Sequence, residues 1–86
     1  MIVNIPSPLR SYTNNSGRVE AEGGSVGDVL ASLEARHPGI RFRMIDEQDG
    51  IRQHIKIFVN TRQVHDLSAP VAAGDTVHII CALSGG

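Results

Sequence analysis

The sequence predicts an α+β fold, a mixed sheet of four to five strands with one main helix packed across one face. Three observations carry that expectation. Short β-branched stretches bounded by turn residues occur toward both ends of the chain. One stretch between them has clear helical periodicity. The apolar stripe of that helix must be buried, and the only large surface available to it is a face of the sheet. With 86 residues, the chain makes a single domain, 1–86, around one modest core.

The opening MIVNI is apolar and β-branched, and Pro6 and Pro8 stop it, so it reads as a strand. RVEAE, Arg18 to Glu22, alternates polar and apolar residues as a half-buried strand does. SYTNNSG between them is a turn-rich connection of hairpin type. The clearest element opens at Ser25. Ser25 followed by Asp28 is a capping-box variant in which hydroxyl and carboxylate satisfy free amides of the first turn. Val26, Val29, Leu30 and Leu33 then form one apolar stripe, and Pro38 and Gly39 end the helix near His37. Residues 40–50 fit a short helical turn, with Ile40, Phe42 and Ile45 dipping inward, followed by the loop DEQDG. HIKIFVN is a strong strand, TRQ a tight connection into a short strand VHDL, APVAAGD a loop, and TVHIICAL the final strand.

Composition narrows the function. Eight basic and nine acidic residues are scattered along the chain, giving a net charge of −1 and no basic stripe for nucleic acid. No stretch approaches the roughly 20 apolar residues of a membrane span. A lone cysteine fits a reducing compartment, so a cytoplasmic location is expected. A core this small leaves little volume for a substrate pocket, which weighs against a self-contained enzyme.

EGGSVGD stands where a phosphate-binding loop would, but it lacks both the Gly-Lys-Ser/Thr ending and the G-x-G-x-x-G spacing. It reads as a tight turn and helix cap. His37, His54, His65 and His78 lack metal-ligand spacing and read as surface or edge residues. His65 and Asp66 are adjacent, but successive strand residues point to opposite faces. Cys81 has no neighbour in sequence that would activate it, and by parity with Val77 and Ile79 it points inward as a small hydrophobe.

The same parity describes the sheet's other face. If Ile55, Ile57, Val59, Val77 and Ile79 face the helix, then Lys56, Phe58, His78 and Ile80 face away. Phe58, His78 and Ile80 then either form an exposed patch of the kind that meets a partner or are covered by the chain's own loops.

The sequence closes on CALSGG. At about 7% glycine on average, a final Gly-Gly pair arises by chance about once in 200 chains, which disfavours an arbitrary end. Two residues without Cβ atoms allow an extended tail into a channel too narrow for side chains. At roughly 3.3 Å per residue, residues 82–86 reach about 17 Å from the sheet. Such a terminus suits a carboxylate that another enzyme activates.

With these features the chain resembles the ubiquitin-like β-grasp sulfur carriers. They comprise the small subunit of molybdopterin synthase, the thiamine-pathway carrier and the carrier of bacterial cysteine biosynthesis. The matching stretches are SVGDVLASLEARHPGI, HIKIFVN, AAGDTVHII and the terminal SGG, which together span nearly the whole chain. VNIPSPLRSYTNNSG is most similar to the cysteine-biosynthesis type. Two departures stand out: Cys81 and Leu83-Ser84 replace the family's Pro-Ala-Val-Ala type of tail, and Asn60-Thr61 replaces Asn-Gly or Asn-Asp.

The resemblance implies a β-grasp domain with a flexible tail, 82–86, that is a sulfur-carrying cosubstrate and not an enzyme. It implies that a ubiquitin-activating-type adenylyltransferase uses ATP to adenylate the Gly86 carboxylate. A sulfurtransferase or sulfide then supplies sulfur for a thiocarboxylate. A synthase of the pyridoxal-phosphate-dependent type accepts that sulfur into cysteine or homocysteine, and a metalloprotease trims the C-terminus to expose Gly86. Phe58, His78, Ile80 and Leu83 would bind partners while Ser84, Gly85 and Gly86 enter their active sites. No cofactor or metal is assigned to this chain. The alternatives are the small subunit of molybdopterin synthase and a ubiquitin-like modifier that forms isopeptide bonds.

Overall fold

Residues 1–82 are described by the structure, a computed structural model. In chain order it contains β1 (Ile2–Asn4), a 3-10 helix (Ser7–Thr13), β2 (Arg18–Glu20), α1 (Val26–Arg36) and α2 (Ile40–Met44). β3 (Ile55–Val59), β4 (Arg62–Val64) and β5 (Thr76–Cys81) follow. The five strands form one sheet in the order β2-β1-β5-β3-β4. β1 and β5 run parallel at its centre, and the other pairs are antiparallel. The sheet is mixed, as expected.

The helical stripe and the strand parity meet in one core. Val26, Val29, Leu30 and Leu33 of α1 are fully buried, as are Val3, Ile57 and Val77 of the three central strands. Each such side chain contributes about 1.5–3 kcal/mol over an exposed one. Burial therefore holds α1 on the sheet far more firmly than helical propensity does.

Ser25 caps α1 through its Oγ, which accepts from the Asp28 amide at 3.2 Å. The reciprocal arm expected of the Asp28 carboxylate does not form among the described residues. Instead the amides of Val26 and Gly27 donate to the carbonyls of Ala69 and Leu67, both at 2.9 Å. The loop before β5 thus satisfies two first-turn amides that the helix itself leaves free.

Glu34 joins α1 to α2. Its carboxylate accepts from the amides of Gly39 and Arg41 at 2.8 and 3.0 Å. These two bonds, and then the nearby Arg41 charge, hold its pKa below the ordinary value. In α2, Ile40 and Met44 lie one turn apart and both are buried. Phe42 falls on the opposite side of that turn and is 56% exposed, so the expectation that it dips inward is corrected. Ile45 is buried as expected, in extended backbone just after the helix.

Two other local expectations change. The β1–β2 connection holds a seven-residue 3-10 helix and is more than a simple turn. Pro6 and Pro8 both stop β1 and start that helix, because a fixed φ and a missing amide are harmless in a first helical turn. Asn14 and Asn15 then take positive φ and lead into β2. β4 lies earlier than VHDL, at Arg62–Val64. Asn60, at φ 56°, makes the turn, so Arg62 already pairs with Val59. The Asn60 side chain also fixes the start of β5, donating to Asp75 and accepting from the Thr76 amide, both at 3.0 Å.

Candidate functional site

β5 is central in the sheet and the last described element, so the described chain ends at the middle of the sheet. Of the expected tail 82–86, only Ala82 is described. It is exposed, and its amide donates to the His54 carbonyl at 2.7 Å. Leu83, Ser84, Gly85 and Gly86 lie outside the described residues.

The outer face of the sheet brings together the three side chains that strand parity singled out. Phe58 on β3 pairs directly with His78 on β5, and Ile80 pairs with Lys56. Ile80 is 44% exposed, while Phe58 and His78 are half-buried. Asn4 is level with His78 across the parallel pair, and its Nδ2 lies 3.0 Å from His78 Nδ1. That bond orients the imidazole beside the phenyl ring. Gln63 closes the row on the far side of Phe58. The face is therefore narrow, with an apolar centre between Asn4 and Gln63 and with the Lys56 ammonium beside Ile80.

Two grooves flank the end of β5. One, of about 550 Å³, is lined by Leu9, Tyr12, Phe42, Arg43, Arg52 and His54 together with Cys81 and Ala82. The other, of about 600 Å³, runs past Ile5, Pro6, Arg10, His78 and Ile80, and also touches Cys81. The strand end is thus a ridge between two depressions. The sequence reading missed the first groove. Its only clear trace there is the Ile40–Met44 spacing, which turns Phe42 outward once the helix is granted.

Cys81 pairs with Ile55 and packs partly against the core. Burial pushes its thiol above the ordinary pKa, opposite to what a nucleophile needs. The histidines are dispersed. His37 Nδ1 donates to the Tyr12 carbonyl at 3.1 Å, and His78 faces Asn4. Among the described residues, no three His, Cys, Asp or Glu side chains gather as metal ligands do. No helix of the described residues is long and apolar enough to cross a membrane.

The sequence model of the ThiS family matches residues 3–86. The chain belongs to the ThiS family. Within it, the chain is 36% identical to the "Sulfur carrier protein CysO" of Mycobacterium tuberculosis over 89 aligned positions, covering 98% of this chain and 96% of that protein. It is 35% identical to "Small archaeal modifier protein 3" of Haloferax volcanii, across 72% of this chain and 70% of that one. Among solved structures, the Amycolatopsis orientalis BexX/CysO complex contains a chain that superposes with a TM-score of 0.92. The two are 36% identical, with 99% of this chain and 98% of that chain covered. The mixed five-stranded sheet with α1 across it is therefore the ubiquitin-like β-grasp fold.

Proposed function

We propose that this ThiS family chain is a sulfur carrier whose reacting group is the carboxylate of Gly86, whether the chain ends there or is trimmed to that point. A ubiquitin-activating-type adenylyltransferase joins a carboxylate oxygen of Gly86 to the α-phosphorus of ATP, and pyrophosphate leaves. Sulfide attacks the carbonyl carbon, the bond to AMP breaks, and a thiocarboxylate remains. Where the persulfide of a sulfurtransferase attacks instead, AMP leaves an acyl disulfide, and a thiol reductant cleaves its S–S bond to release the same thiocarboxylate. A sulfur-accepting synthase then takes that sulfur into cysteine or homocysteine. ATP and pyridoxal phosphate belong to those partners, and this chain is their cosubstrate.

The single observation that carries the reading is the extent of the match. The family alignment runs through Gly85 and Gly86, and a sulfur carrier is similar over 98% of the chain. The geometry of the fold supports it. A central strand presents Ala82 from a rigid body, and the chemistry happens a few residues beyond. The outer face of Phe58, His78 and Ile80 is the surface we assign to partner docking, with Leu83 extending it. Ser84 and Gly85 lead Gly86 into the partner's active site, where the missing side chains of the glycines permit close passage.

Incubation with ATP, an activating enzyme and a sulfur source tests this by intact mass. The expected result is replacement of one oxygen by sulfur, abolished in Gly86→Ala/Gly85→Ala. An unchanged mass with an enzyme that sulfurates another family member overturns it. Ile80→Asp should slow the same reaction at a temperature where the variant is still folded, with a modest fall in the thermal midpoint because the side chain is substantially exposed.

A second reading, protein modification through isopeptide bonds, is favoured by the likeness to the Haloferax modifier protein. It predicts a ladder of conjugates on denaturing gels. A carrier gives the thiocarboxylate without that ladder.

A further inference from the structure

We propose that the groove between α2 and the end of β5 docks an acidic peptide segment of a protein partner, held by Arg43 and Arg52. The assignment of that segment to an enzyme that takes the tail rests on the carrier reading; the basic character of the groove does not.

The lining holds two arginines and a histidine and no carboxylate. Overall the chain is slightly acidic, so this is a local excess of positive charge and not a reflection of composition. Among the described residues the one ion pair is Arg41–Asp49, which leaves Arg43 and Arg52 without a carboxylate partner. Asp46 is near enough to feel the Arg52 charge, but its Oδ1 accepts from the amides of Gln48 and Gly50, and it forms no ion pair.

Both arginines are held in place before anything binds. Arg52 Nε donates to the Phe42 carbonyl at 2.8 Å, and its guanidinium lies 4.6 Å from the centre of the Phe42 ring. Arg43 Nε donates to the Tyr12 hydroxyl at 2.7 Å, with the guanidinium 5.9 Å from that ring's centre. In each case Nε is used internally, while Nη1 and Nη2 have no protein acceptor among the described residues. A planar guanidinium so fixed presents a fork suited to a carboxylate and loses little entropy on meeting one.

The groove also offers apolar area, since Phe42 is the most exposed of the large hydrophobic side chains described. Carboxylates alternating with small apolar residues complement such a surface better than a free anion does. Ala82 forms part of the lining, so the groove adjoins the last described residue of the chain.

The test is a two-dimensional amide and arginine Nε–H NMR titration of the full chain with hexaglutamate peptide at low ionic strength. Hexaglutamine serves as the uncharged control. Saturable shifts are expected at Phe42, Arg43, Arg52, His54 and Ala82, and none of comparable size with hexaglutamine. Affinity in Arg43→Gln/Arg52→Gln should fall about fivefold or more, as two exposed charge contacts would give. If the double variant fails to fold, Arg43→Gln alone, at an exposed side chain, carries the same reading.

Shifts centred instead on Lys56 and Arg62, an equal response to hexaglutamine, or an unaltered affinity in the folded variant overturn the proposal. So do tighter responses of the same resonances to inorganic phosphate or to an oligothymidylate, which would assign the groove to other anions. Stronger hexaglutamate binding by a chain shortened to Ala82 would show that residues 83–86 compete for the groove, and that also overturns it. The titration requires no sulfur chemistry. A negative result here leaves thiocarboxylate formation untouched, and failure of thiocarboxylate formation leaves the titration untouched.

Discussion

Gly23 and Gly24 are neighbours, yet their surroundings demand opposite responses to the same substitution. A Cβ placed on Gly23 would lie 2.6 Å from the Asp28 Cβ and 2.7 Å from the Val29 amide nitrogen. Those atoms belong to the first turn of α1, which is pinned by the Ser25 cap and by the bonds from Val26 and Gly27 to Ala69 and Leu67. The turn cannot retreat without loosening those contacts. A Cβ on Gly24 meets nothing within 4 Å.

Either Gly→Ala change stiffens the unfolded chain and by that route stabilises by about 0.4–1 kcal/mol. At Gly23 an overpacking cost of about 1–3 kcal/mol opposes it and wins. For a domain of this size each kcal/mol moves the thermal midpoint by about 4–8 °C. Gly23→Ala should therefore lower the midpoint by roughly 5–15 °C, while Gly24→Ala leaves it unchanged or raises it by a few degrees. Thermal unfolding followed by circular dichroism at 222 nm reads both. Equal shifts in the two variants would refute the reasoning, since the contribution of the unfolded state is common to them and only Gly23 combines a positive φ, 159°, with close packing against α1.

Two further outcomes follow from titrating groups. Hydrogen bonds from amides hold the carboxyls of Glu34, Asp46 and Asp75 below their ordinary pKa values, and bonds from Ser68 do so for Asp66. A pKa depressed by folding contributes stability that is present above the unfolded value and lost as pH falls through the folded one. The midpoint should accordingly be flat near neutrality and fall once pH drops below about 4. Glu34→Gln should flatten part of that acid limb, and an acid limb of unchanged shape would count against Glu34 as a contributor. The Cys81 thiol, raised by burial, should react with iodoacetamide more slowly than a cysteine in a short peptide at pH 8, with its rate rising at a higher pH. Reaction as fast as the peptide's would mean that the strand end is open in solution.

Much of the fold was legible because it rests on periodicity. Val26, Val29, Leu30 and Leu33 announce a helix face at 3.6 residues per turn. Ile55, Ile57 and Val59, with Val77 and Ile79, announce strand faces at a period of two, and all of them are buried. The same parity placed Phe58, His78 and Ile80 on one outer face, where the register of β3 and β5 sets Phe58 beside His78. Periodicity fails in short elements. α2 has five residues and β4 three, too few for a pattern, and so the orientation of Phe42 and the position of Asn60's turn were read incorrectly or late.

The sequence by itself therefore determined the layer architecture, the inward and outward sets of each long strand, and the Gly85-Gly86 pair that falls within the family match. Tertiary structure alone decided that β5 pairs parallel with β1 at the centre of the sheet. It alone decided that the Leu67–Ala69 loop caps α1, and that Arg43 and Arg52 converge beside Ala82 over two aromatic rings. These decisions join residues far apart along the chain. Local pattern reports which side of an element is apolar, whereas the partner that covers it is chosen by the packing of all the elements at once.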